Sequence, residues 1–395
     1  MPKINQEILI WARETSGLTV EEAAKKLQLK DTSAATGVEK LLEYESGKEP
    51  SRSLLVKMSK QYRKPLLAFY LEKPPRKGDR GEDFRTLREG YKQEENVLVD
   101  VLIRDIKARQ SVLREILIEE DEAEALPFIG CTNRQQGISN IANMIRQTLN
   151  FNLGEFRGNR DPDDAFKYLR NIAEEIGIFV LLAGNLGSHH SNIDTEIFRG
   201  FVLADKIAPF IVINDQDSKS AWSFTLLHEI AHLLLGQTGV SGSFSENMVE
   251  QFCNDVASEI LLPSDELNDF KPDILDFEKL TQQISSFSKE RNISSSLVSY
   301  RLLRKSYINQ RLWTELSKFY EAYWRDLKTK ERKRNKQQKG GPSYFVLQRK
   351  KLGNALVRIA ERMMLSGALT TTKAGLLLGV RPIKVHKLFH SGRAV

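Results

Sequence analysis

The chain has 395 residues, 41% of them apolar and 28% charged, and its 59 Lys/Arg against 52 Asp/Glu leave a net charge of +7. That length carries two or three domains with a sizeable core. No run approaches the roughly 18 consecutive apolar residues of a membrane span, and two distant cysteines, Cys131 and Cys253, exclude a disulfide framework or a cysteine-based zinc motif.

The opening MPKINQEILIWARE lacks the apolar core and small-residue site of a secretory signal, so a cytoplasmic location is expected. In it Ile8, Trp11 and Ala12 keep helical spacing, Gly17 ends the helix, and Thr19 with Glu22 makes a capping box for a second one. Glu45 and Gly47 sit at a later helix end, and Pro50-Ser51 open the next helix. A short helix, a turn, a capped second helix and a third beyond it is helix-turn-helix grammar, with a generic helical bundle as the plain alternative. The stretch KLQLKDTSAATGVEKLLEYESG is longer than a compact turn, and Lys30 through Thr36 hold one Lys and no Arg, Asn or Gln, the usual base-reading side chains.

EKPPRKGDRGEDFR (Glu72 to Arg85) reads as a linker, and residues 91 to 125 as a long charged helix. Two amphipathic helices, GISNIANMIRQTLN and DAFKYLRNIAEEIG, lead to IGIFVLLAG (Ile176 to Gly184), an apolar run of strand length. IFRGFVLADKIAPFIVIND (Ile197 to Asp215) adds two more strands. A small sheet therefore precedes FTLLHEIAHLLLG (Phe224 to Gly236), and a further helix follows from about Ser245 to Leu262, stopped by Pro263.

In that apolar helix His228 and His232 are four residues apart and share one face. Two buried, hydrogen-bonded core histidines are the plain reading. Two imidazoles at this spacing also reach one zinc ion, and Glu229 beside the first is placed to take a proton from a water there. A third ligand is needed. Glu246, Glu250 and Glu259 lie on the next helix, and His189 and His190 lie in a loop upstream. Glu250 shares a helix face with Cys253, Asn254, Ala257 and Leu261; Glu246, one turn earlier, is its rival. Cys253 reads as a small core residue, not a ligand.

Towards the C-terminus, ISSSLVSYRLLRKSYI (Ile293 to Ile308) is amphipathic, and RDLKTKERKRNKQQK (Arg325 to Lys339) carries eight Lys/Arg against two acids. That run is either a solvated linker or a phosphate-contacting patch. Beyond GGPSY, a helix ending at Gly367 is followed by caps at Thr370 to Thr372, inward-facing Ala374, Leu377 and Leu378, and a turn at Gly379. This is a second helix-turn-helix pattern, its alternative a helical cap on the middle domain.

The run FRGFVLAD…APFIVIND…WSFTLLHEIAHLLLG…VEQFCNDVASEILLP resembles the ImmA/IrrE family of zinc metallopeptidases from about Ile178 to Pro263, and WARETSGLTVEEAAKKL…LEYESGKEP resembles an Xre (Cro/C1-type) helix-turn-helix domain. The first resemblance implies a zinc site of His228, His232 and Glu250 with Glu229 activating water, and a helix-turn-helix repressor as protein substrate. The second implies double-stranded DNA as a partner of residues 1–75. The expected fold is α+β and mostly helical. Its parts are a helix-turn-helix bundle (1–75), a linker and charged helix (76–125), a zincin-like peptidase domain with a small sheet (126–270), a helical extension (271–324), a basic linker (325–342) and a small helical, helix-turn-helix-like C-terminal domain (343–395).

Overall fold

The computed structural model describes residues 4–33, 35–62, 64, 66–70, 93–186, 191–237, 239–241, 248–337 and 340–391. The chain divides into two units, residues 1–105 with 185–197, and residues 106–184 with 198–395.

In the first unit α1 (Gln6–Glu14), α2 (Val20–Lys26), α3 (Gly37–Glu45) and α4 (Arg52–Gln61) surround a core that includes Ile8, Ala12, Leu27, Leu41, Met58 and Phe69. Each start has a local cause. Thr19 with Glu22 and Thr36 with Glu39 form reciprocal capping boxes, and the Ser51 side chain accepts from Leu54 N. α1 is tied to α3 by a buried ion pair in which Arg13 Nε donates to Glu45 Oε1 at 2.7 Å and Nη2 to Oε2 at 3.1 Å. The unit boundary falls within α5 (Gln93–Glu119).

The second unit opens with α6 (Ile138–Thr148), α7 (Leu153–Gly158) and α8 (Pro162–Glu175), followed by β1 (Phe179–Leu182), β2 (Gly200–Leu203) and β3 (Phe210–Ile213). α9 (Lys219–Leu234), β4 (Gly239–Ser241) and α10 (Met248–Leu261) come next. The sheet order is β1-β3-β2-β4, with β1 parallel to β3 and both β2–β3 and β2–β4 antiparallel. The first three strands are buried at every position, which is why they read as unbroken apolar runs with no alternation. The fourth, three residues long, carries no such pattern and was not expected from the sequence. α9 is buried nearly all round, packed against α8, α10 and the sheet, as a helix apolar on every face must be.

α11 (Phe277–Lys289), α12 (Ser295–Arg304) and α13 (Gln310–Gln337) follow. The basic stretch expected as a linker is helical as far as Gln337. Lys, Arg and Glu are good helix formers, and Arg325–Glu321 and Lys330–Asp326 pair at i,i+4. The chain ends with α14 (Tyr344–Leu352), α15 (Asn354–Leu365), α16 (Thr371–Leu377) and α17 (Val385–His390). Within the second unit α14 packs against β1 and α15 against α8. Buried Arg170 donates to the carbonyls of Val180, Lys350 (2.6 Å) and Lys351, while Glu174 accepts from the backbone N–H groups of Asn354 and Ala355 at 2.9 Å. One ion pair on α8 thus satisfies both an edge-strand carbonyl and the exposed first turn of α15.

Candidate metal centre

α9 presents His228 and His232 on one face, with their Nε2 atoms 3.1 Å apart. The first turn of α10 brings Glu250 to them, Oε2 lying 3.2 Å from His228 Nε2 and Oε1 3.1 Å from His232 Nε2. One ligand atom from each of the three residues lies within 4.8 Å of the others, a group suited to a metal ion. Both imidazoles are buried and Glu250 is partly buried.

α10 is fixed from its far side. Buried Asp255 accepts from Tyr300 Oη (2.7 Å) and from Arg304 Nε and Nη2 (2.8 and 2.6 Å). Glu259 accepts from Arg301 Nη2 (2.5 Å) and Ser264 Oγ (2.9 Å), so this carboxylate is engaged with α12 and not with the histidines. A helix held along one face by charge-assisted hydrogen bonds presents the other in a single register.

Glu229 is 0% exposed, with β2 beside it. A side chain at Gly200 would put a Cβ 2.8 Å from Glu229 Oε1 and 2.6 Å from Thr225 Cγ2, so the strand leaves room for the carboxylate only because glycine stands there. The outer nitrogen of His232, Nδ1, lies 3.3 Å from Gln237 Oε1, a contact that favours Nδ1–H and leaves Nε2 free to ligate.

The electrostatics favour a cation. Burial lowers the pKa of His228, keeping the imidazole neutral. Burial acts in the opposite sense on Glu250, yet hydrogen bonds with His228 and His232 outweigh it and hold the carboxyl well below its ordinary range. At His232 burial disfavours the charged ring, but hydrogen bonding with Cys253 and Glu250 and the field of Glu229 raise its pKa well above normal. A neutral imidazole and an ionised carboxylate are metal-ligating forms, and the negative charge of Glu250 and Glu229 beside His232 favours a cation there.

Of the residues singled out by sequence, His228, His232 and Glu250 come together, Glu229 lies beside them on α9, and Cys253 is fully buried next to His232. Glu246, His189 and His190 lie outside the described residues. Gly200, Gln237 and the α12 clamp were missed. A glycine inside an apolar strand was the one available signal.

Residues 169–303 match the family model described as the IrrE N-terminal-like domain, Peptidase_M78. The matched stretch holds the sheet, α9, α10 and α12, and the family indicates a metallopeptidase, hence a metal ion and a protein substrate. No curated protein and no solved structure matches the chain.

Proposed function

We propose that the chain is a zinc-dependent endopeptidase in which His228, His232 and Glu250 hold the metal and Glu229 is the catalytic base. The observation that carries this is the meeting of two imidazole nitrogens and one carboxylate beside a second, buried carboxylate. Donor type and spacing support zinc. Four ligands at about 2.0–2.1 Å in a tetrahedron stand roughly 3.3 Å apart, close to the 3.1–3.2 Å separations here. His228, His232 and Glu250 would hold the zinc as three protein ligands, the number found in catalytic sites.

Bound there, zinc supplies a Lewis acid that polarises water and a peptide carbonyl. Glu229 takes the proton of the attacking water and delivers it to the amide nitrogen that leaves. The apolar surroundings of α9 keep other water away, and Gly200 keeps the carboxylate seated. By its resemblance to ImmA/IrrE peptidases, the substrate class is a helix-turn-helix repressor or similar regulatory protein.

The test compares new protein N-termini in host cells expressing the wild-type chain or Glu229→Gln, with zinc content measured on both purified proteins. We expect one cut in a regulatory protein, absent with the variant, and equal zinc in both. His232→Ala should lose the metal, and Gly200→Ala should keep it while lowering turnover, since a positioned base contributes about 10²–10⁴-fold. Unchanged cleavage by Glu229→Gln would falsify the assigned chemistry. Bound zinc with no cut in either culture would favour a structural or sensory metal in a DNA-binding regulator.

A further inference from the structure

The Xre-like resemblance implied DNA contact in residues 1–75, but the exposed charge leads to the second helix-turn-helix pattern, at the other end of the chain. α16 is followed by a tight turn over Leu378–Arg381, then by a 3-10 turn, Pro382–Lys384, that runs directly into α17. Two glycines make this geometry possible. At Gly375, inside α16, a Cβ would lie 2.9 Å from Val380 O and 3.2 Å from the Pro382 ring, so the turn packs directly on the helix backbone. Gly379 has φ +61°, a left-handed conformation that costs other residues energy. Ala374, Leu377, Leu378, Val380, Val385 and Leu388 are all buried, joining the two helices through one small apolar seam.

What faces water is of one sign. Arg381 in the turn, Lys384 in the 3-10 turn and His386, Lys387 and His390 on α17 are exposed, as are Thr372 and Lys373 on α16. Ile383, at the start of the second helix, is 84% exposed. Between residues 340 and 391 Glu361 is the sole acid, against nine Lys/Arg. The four cations named here make no ion pair among the described residues, although Lys384 Nζ lies 5.1 Å from the centre of the Tyr344 ring. By contrast two lysines of α14 are spent on ion pairs: Lys350 with Asp163 at 2.7 Å and Lys351 with Asp215 at 2.7 Å.

We propose that α16 and the helix from Pro382 to His390 form a double-stranded DNA-binding helix-turn-helix whose second helix enters the major groove. In this motif the second helix reads base edges with its first residues while the helix before it crosses the backbone. Lys384 and Lys387 supply donors for guanine O6 and N7, and Ile383 an apolar contact for a thymine methyl. Arg381 and Lys373 flank the helix and reach phosphates. The assignment is independent of the metal centre.

The experiment uses the full-length protein and fluorescence anisotropy with a 24-base-pair duplex of mixed sequence, titrated at several salt concentrations. The probe variant is Arg381→Gln/Lys384→Gln/Lys387→Gln. A control, Lys25→Gln/Lys26→Gln/Lys30→Gln, removes three exposed cations near the N-terminus. We expect wild-type binding that weakens steeply with salt. The log–log salt slope of the C-terminal variant should shrink by about 0.9 for each phosphate that a substituted cation no longer neutralises. Affinity should fall at least tenfold there and stay within twofold in the control. Circular dichroism of both variants should match wild type, because every altered side chain is exposed. The proposal is overturned if the duplex does not bind at low salt, if the C-terminal variant keeps wild-type affinity and slope, or if the control alone loses binding. Equal affinity for a single-stranded RNA of the same length would also overturn it, by showing a charge-only surface.

Discussion

Two helix pairs in this chain obey the same grammar and meet solvent with different chemistry. α2 starts from a capping box at Thr19 and is followed by ten connecting residues, 27–36, before α3; α16 starts from Thr370 and reaches its partner across Leu378–Arg381. α3 exposes Glu39, Leu42 and Glu43, while the turn and helix after α16 expose Arg381, Lys384 and Lys387. Carboxylates held near phosphates repel them, whereas lysine and arginine release counterions there. Helical punctuation therefore identifies a shape, and only the exposed face says what the shape can touch. The means of fastening differ as well: a buried ion pair ties α3 to α1, and glycine-to-backbone packing ties α16 to its turn.

That difference in fastening can be tested by hydrogen-exchange protection measured separately on each pair. Arg13→Ala should have the largest effect, because it strands Glu45 as a buried, unpaired carboxylate; a loss of about 3–5 kcal/mol is expected for α1–α3 with α16 and α17 unmoved. Protection of α3 surviving intact would mean the ion pair is not what joins the helices. Gly375→Val should cost about 1–3 kcal/mol at the C-terminal pair, through collision with Val380 O and Pro382. An unchanged exchange rate for α17 would remove the argument that the turn rests on that helix.

A third prediction uses pH to separate the regions. Lys64 sits buried with its Nζ 4.4 Å from the centre of the Trp11 ring, and burial pushes its pKa down to about 8. The folded pKa lies below the unfolded value near 10.5, so the penalty is complete below pH 8 and is relieved as pH rises from about 8 to 10.5. The N-terminal helices should gain on the order of 1 kcal/mol across that window, and Lys64→Met should flatten the response. A wild-type curve that falls instead would reverse the assigned sign. The smallest effect belongs to the caps. Thr370→Ala removes an acceptor for Lys373 N and should cost about 0.5–1 kcal/mol at α16, with Thr19→Ala costing about the same at α2. A much larger loss at either would show that the hydroxyl supports more than its own helix start.

Much of the local structure was legible in the residues. Thr19 and Glu22, or His228 and His232, lie three or four positions apart, and helix geometry alone makes such pairs neighbours. The apolar runs of β1 and β3 announced strands buried on both faces. The basic stretch after Arg325 misled because its charge suggested solvation while its residues favour helix, and β4 is too short to carry a pattern.

By itself, then, the sequence determined the capped helix starts such as Thr19 and Thr370, and that two imidazoles share one face of α9 with a carboxylate next to the first, because each of these depends on residues within about one helical turn. Tertiary structure alone decided that Glu250 meets those imidazoles, that Gly200 leaves space over Glu229, and that Asp255 is clamped by Tyr300, 45 residues away. It alone decided that Arg170 reaches the carbonyl of Lys350, 180 residues on, and that the cations of the last helix face water. No local periodicity encodes such meetings; they follow from how buried faces find one another once the core is packed.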